Sequence, residues 1–203
     1  MAPILPHRTD TAGSTSGCGV DHSPREAYRS VMAVQSVEAP ADVRGQALPG
    51  YAVAAIREEG RWRCTRLAAE SLVDLDAAIT ELRELRVQGA VVGLLDVDDE
   101  FFVIVRPVPG GISLMLSDAV AALDYDVAAD VLDLLRVELP PDDDALDDPW
   151  PEGDLAILAD FGLPADELEM LAGELELYPD EQLATIGRRC GFADALAEVV
   201  DAR

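Results

Sequence analysis

The side chains with most capacity for chemistry are the carboxylates, 40 Asp and Glu in 203 residues. Two histidines, His7 and His22, and three cysteines, Cys18, Cys64 and Cys190, accompany them. Asp96-Val-Asp98-Asp99-Glu100 has the opening of a calcium loop, where alternate carboxylates converge on one hard cation. Such a loop needs Gly at its sixth position for a sharp turn, and Phe101 stands there. Apolar runs on both sides make a hairpin turn the better reading. A loop opened by Asp142 fails too, with Asp147 sixth and Gly153 twelfth. Ser113, in Gly111-Ile-Ser-Leu-Met115, lacks the closing Gly and the strand-to-helix turn of a nucleophile elbow. Gly110-Gly111 is a turn, since no glycine-rich phosphate-binding pattern occurs. The cysteines form no CxxC pair, and no histidine follows His22 to activate Cys64 or Cys190. Zinc would meet only scattered carboxylates, a poor match to its nitrogen and sulfur ligands. The expectation is therefore no catalytic residue, no metal site and no cofactor.

All 15 basic residues are Arg, and the net charge is −25. Residues 1–100 carry −6 and residues 101–203 carry −19. Affinity for phosphates comes mainly from Lys and Arg, so direct binding of nucleic acid is not expected. Anionic membrane surfaces are disfavoured for the same reason. The expected partner is a protein with a basic surface. No run of about 18 apolar residues suggests a transmembrane helix, and no basic start with an apolar block suggests a signal peptide. Isolated cysteines fit a reducing compartment, so the expected location is the cytoplasm.

Four stretches of unlike composition position these side chains. Residues 1–48 are rich in Gly, Ser, Thr and Pro, with little apolar periodicity. They read as a disordered tail, or as the product of a mis-assigned start codon with Met32 as the true start. Residues 49–137 read as a sheet domain. Tyr51–Arg57 and Trp62–Leu67 flank Glu58-Glu-Gly-Arg61 as a hairpin. Leu75, Ala78, Ile79, Leu82 and Leu85 recur at helical spacing, with Gly89 as the stop. Val91–Val97, Phe101–Val108 and Ile112–Leu116 follow as strands joined by Asp98-Asp99 and Pro109-Gly-Gly111. Ser117 or Asp118 then caps a helical region with Val127, Val131, Leu132 and Leu135 on one face.

Tight turns make neighbouring strands antiparallel. The expected fold is thus α+β, a five-stranded, mostly antiparallel sheet with helices on one face. Its order, ββαβββα, resembles that of longin and roadblock domains, which serve as binding platforms. The consecutive apolar residues of Phe101–Val105 call for cover on the second face as well. Helices of the C-terminal segment are the expected cover.

Residues 138–153 read as an acidic linker, in which Pro140, Pro141, Pro149 and Pro151 exclude a regular helix or a central strand. Residues 154–203 read as a cluster of short helices. Asp154 caps Leu155–Phe161, Pro164 opens a helix through Glu174, Pro179 opens one through Arg189, and Phe192–Val200 is the last. Within the linker, Asp142, Asp143, Asp144, Asp147 and Asp148 lack any countercharge and form the candidate steering group for a basic partner. Trp150, between two prolines, is either an aromatic anchor for that partner or a clasp folded back on the domain. The clasp is the favoured reading of the indole, and steering that of the acids.

Several segments occur together in a distinctive order. They are Tyr51-Ala-Val-Ala-Ala-Ile-Arg57, Asp98-Asp-Glu-Phe-Phe-Val-Ile-Val-Arg106, Leu116-Ser-Asp-Ala-Val-Ala-Ala122, Gly153-Asp-Leu-Ala-Ile-Leu-Ala-Asp160 and Leu177-Tyr-Pro-Asp-Glu-Gln-Leu183. With the acidic proline linker, they resemble the actinobacterial tRNA adenosine deaminase-associated proteins over residues 51 to about 200. The resemblance implies association with a tRNA adenosine deaminase, and so a part in tRNA editing, and carries over no catalytic residue; with no catalytic constellation in the sequence, the expected role is that of a non-enzymatic accessory protein. The deaminase itself needs HxE and PCxxC motifs to hold zinc and move protons, and neither occurs here. The alternatives are an acidic decoy that mimics nucleic acid toward basic proteins, or an interaction module of an unrelated process.

Overall fold

Tyr51–Ile56 and Phe101–Val105 are buried at every position, so these strands must lie between two apolar layers. The computed structural model describes residues 49–139 and 149–202. The tail 1–48 and the five linker aspartates lie outside the described residues. Among them six strands form one antiparallel sheet: β1 (Gly50–Glu58), β2 (Arg61–Arg66), β3 (Ala90–Val97), β4 (Phe101–Val108), β5 (Gly111–Leu116) and β6 (Glu152–Gly153). The spatial order is β2-β1-β3-β4-β5-β6.

Turn chemistry sets the register. Glu59 and Gly60 both have positive φ, as do Asp98 and Asp99. Two consecutive left-handed residues match the right-handed twist of the flanking strands. Asp tolerates that conformation because its short side chain can hydrogen-bond locally. Asp98-Asp99 is thus a hairpin turn that places Val97 opposite Phe101.

The sixth strand corrects the five-stranded expectation, and it lies within the stretch read as linker. A proline excludes a central strand, but β6 is a two-residue edge strand beginning just after Pro151. Gly153 suits the site. Its φ is 102°, and a Cβ there would stand 2.3 Å from the Leu114 carbonyl oxygen.

Helices cover both faces. On the first lie α1 (Leu75–Glu84) and α2 (Asp126–Leu135). Leu75, Ala78, Ile79 and Leu82 of α1, with Val127, Val131 and Leu132 of α2, pack on Ile56, Leu95, Phe101, Val103 and Val105. Asp74 Oδ1 accepts from the Ala77 N–H at 3.0 Å, a cap that stabilises α1 by about 1 kcal/mol. Helix α1 stops at Glu84, short of Gly89. Gly89 is instead where the chain passes beneath the Arg57 carbonyl, 1.8 Å from a Cβ built there. On the second face lie α3 (Ala165–Ala172), α4 (Pro179–Cys190) and α5 (Ala193–Val200). Their Leu168, Leu183, Ile186, Phe192 and Leu196 pack on Val53, Ala55, Val92, Leu94, Phe102 and Ile104. The C-terminal helices thus supply the cover expected for the second face.

Two expected helices are tighter than α. Asp118 Oδ1 accepts from Val120 N–H, and Ala119–Leu123 is a 3₁₀ turn that precedes α2. Between Gly153 and Gly162, bonds run from Ile157 N–H to Asp154 O, Ala159 N–H to Ala156 O and Phe161 N–H to Leu158 O. This i→i+3 ladder replaces the expected Leu155–Phe161 α-helix. A segment so short gains few α-type bonds for the nucleus it must form.

Candidate functional site

The acidic end of the sheet gathers the groups with the most perturbed protonation. Asp96 on β3 stands directly between Tyr51 on β1 and Phe102 on β4. Its residue is 1% exposed, and its Oδ1 has no hydrogen-bond partner among the described residues. Burial, then the charges of Asp99, Asp180 and Asp98, push its carboxyl up to about 7. Glu100 is raised by burial and by Asp98 and Asp99. The Tyr125 hydroxyl donates to Asp98 Oδ2 at 2.7 Å. A carboxyl titrating near 7 suits general acid–base work. Asp96, however, is closed off from any substrate, and the titrating groups around it are carboxyls and phenols. The described residues contain no group of three His, Cys, Asp or Glu side chains placed to hold a metal ion.

The remaining candidates for chemistry are structural. Burial pushes the Cys64 and Cys190 thiols up to about 11, so neither is a thiolate at neutral pH. Ser113 Oγ donates to Asp154 Oδ2 at 2.7 Å, tying β5 to the residues after β6. Arg106 on β4 makes a fork to both Asp160 oxygens at 2.6 and 2.7 Å, and also donates to the Ile157 carbonyl. Its guanidinium lies 4.5 Å from the Phe161 ring centre. Phe161 and Phe192 both pack on Trp62 at 5.1 Å. This arginine–aromatic cluster fastens the C-terminal layer to the sheet.

Of the sequence-derived site residues, Asp142, Asp143, Asp144, Asp147 and Asp148 fall outside the described residues. Trp150 is half-buried and packs against the first core. Its backbone N–H donates to Asp118 Oδ1 at 3.2 Å, and its carbonyl accepts from Ala119 N–H at 2.8 Å. The sequence reading missed a second apolar group. Leu175, just beyond the Glu174 end expected for the helix opened by Pro164, is 60% exposed. Met170 and Tyr178 nearby are 68% and 64% exposed. Helix α3 ends at Ala172, two residues short of the expected Glu174, so Leu175 lies in the turn that follows.

Residues 50–193 match the family model described as Rv3753c-like tRNA adenosine deaminase-associated protein. The chain belongs to this family. The matched stretch opens with β1 and reaches the first residue of α5. The chain is also similar to Protein Rv3753c of Mycobacterium tuberculosis, 59% identical over 152 residues, which cover 75% of this chain and 88% of that one. No solved structure matches the chain. The family is described as deaminase-associated, and not as the deaminase.

Proposed function

We infer that this chain is a non-catalytic protein partner of a tRNA adenosine deaminase, acting in the cytoplasm. The observation that carries the reading is membership of a family described by that association. Physical chemistry supports it from two sides. Asp96 and Cys190 are buried, and Ser113 is engaged in a structural bond to Asp154. A charge of −25 suits association with a tRNA-handling enzyme, whose own surface must be basic to hold phosphates. The acids of residues 142–148 steer that encounter, and the fold presents a rigid surface to it.

The test is capture of partners by the tagged full chain from extracts of its own organism at low and high salt, read by mass spectrometry. The expected result is the deaminase in a fixed ratio to the bait, retained as salt rises. Many unrelated basic proteins, all lost together as salt rises, would replace this reading with that of an acidic decoy.

A further inference from the structure

We propose that the last turn of α3 with the segment that leads to α4, carrying Met170, Leu175 and Tyr178, is the surface that docks on the deaminase. The proposal rests on the reading of this chain as the deaminase's partner. Three large apolar side chains within nine positions are each at least 60% exposed, while Leu168, Ala172 and Pro179 of the same stretch are buried. The chain therefore had inward positions available here and used them for other residues. Three large, strongly exposed apolar side chains so close together in the chain mark a contact site.

The turn is held rigid. Gln182, 5% exposed, reaches back from α4 and donates from Nε2 to the Glu174 carbonyl at 3.0 Å and the Ala172 carbonyl at 3.4 Å. On the far side, Tyr178 N–H donates to Glu181 Oε2 at 3.1 Å, and Pro179 starts α4 with its φ already fixed. A surface fixed before encounter loses little freedom on binding.

Charge selects the occupant. From Val137 to Gly187 the chain has no basic residue. Glu169, Glu174, Glu176 and Asp180 lie beside the three apolar side chains in sequence and are all exposed. An apolar centre with an acidic rim fits a partner whose own apolar spot is ringed by Lys and Arg, as on a tRNA-binding enzyme. It repels nucleic acid and a second copy of this chain alike.

The test compares the full chain with the triple variant Met170→Ser, Leu175→Ser, Tyr178→Ser, titrated against the purified deaminase of the same organism. All three positions are exposed, so the variant's melting temperature should match that of the unaltered chain. The expected result is a loss of affinity of tenfold or more, through faster dissociation. A control variant, Leu123→Ser with Leu134→Ser, removes two comparably exposed leucines elsewhere and should bind normally. Equal binding by the triple variant and the unaltered chain overturns the surface and leaves the partnership standing. No complex with the unaltered chain overturns both. A self-associating chain that becomes monomeric in the triple variant, with deaminase binding unchanged, assigns the surface to a second copy and overturns the proposal.

Discussion

Asp96 is held between Tyr51 and Phe102 with one oxygen unpartnered, so the folded chain disfavours its ionised form. Its carboxyl titrates near 7 when folded against an ordinary 3.8. The folded state is thus penalised as pH rises from about 4 to 7, and the penalty is constant above that window. Asp96→Asn removes the ionisable group and should raise the melting temperature at pH 8 more than at pH 5. Equal gains at the two pH values would show that ionisation is not the cause. Trp150 offers a second test. With its backbone fixed to Asp118 and Ala119 and its ring on the first core, Trp150→Ala should lower stability by about 2 kcal/mol with no partner present. An unchanged thermal melt would place the indole's role elsewhere. The environment of Asp96 was not legible in the sequence. Asp96 alternates with apolar neighbours like any outward strand residue, and only the second helical layer turns its side inward.

The elements themselves were largely legible, because each carries its own punctuation. Asp74 before Leu75, Pro179 at the start of α4 and Gly191 after Cys190 mark ends that local chemistry dictates. Such ends were misjudged where a long-range contact decided them. Gly89 serves the neighbouring Arg57 carbonyl rather than a helix, and β6 exists only because β5 offers an edge. The joint between layers depends on Arg106, 18% exposed at its side chain and bonded to Asp160 and Ile157. Arg106→Leu should cost about 2 kcal/mol through the lost charged hydrogen bonds, with faster amide exchange concentrated in residues 157–163. Uniform acceleration across the sheet would contradict this local role. Replacing Asp142, Asp143, Asp144, Asp147 and Asp148 by Asn should leave the melting temperature unchanged and slow association with the deaminase. Dissociation should change little.

At the scale of the whole molecule, the sheet of the described residues is covered on both faces by helices. The Met170, Leu175 and Tyr178 group could not be found by periodicity, which assigns a leucine at helical spacing to the core. The net charge, in contrast, was legible at once. It predicts that the purified chain binds tRNA immeasurably weakly at physiological salt, since each phosphate contact needs a cation. Saturable micromolar binding in a filter assay would contradict that. The partnership itself is tested by sedimentation equilibrium of the full chain mixed with the purified deaminase of its own organism at physiological salt. The expected result is a complex of one fixed stoichiometry that dissociates into two unmodified proteins on dilution. Two independently sedimenting species at every ratio, at concentrations well into the micromolar range, would contradict it.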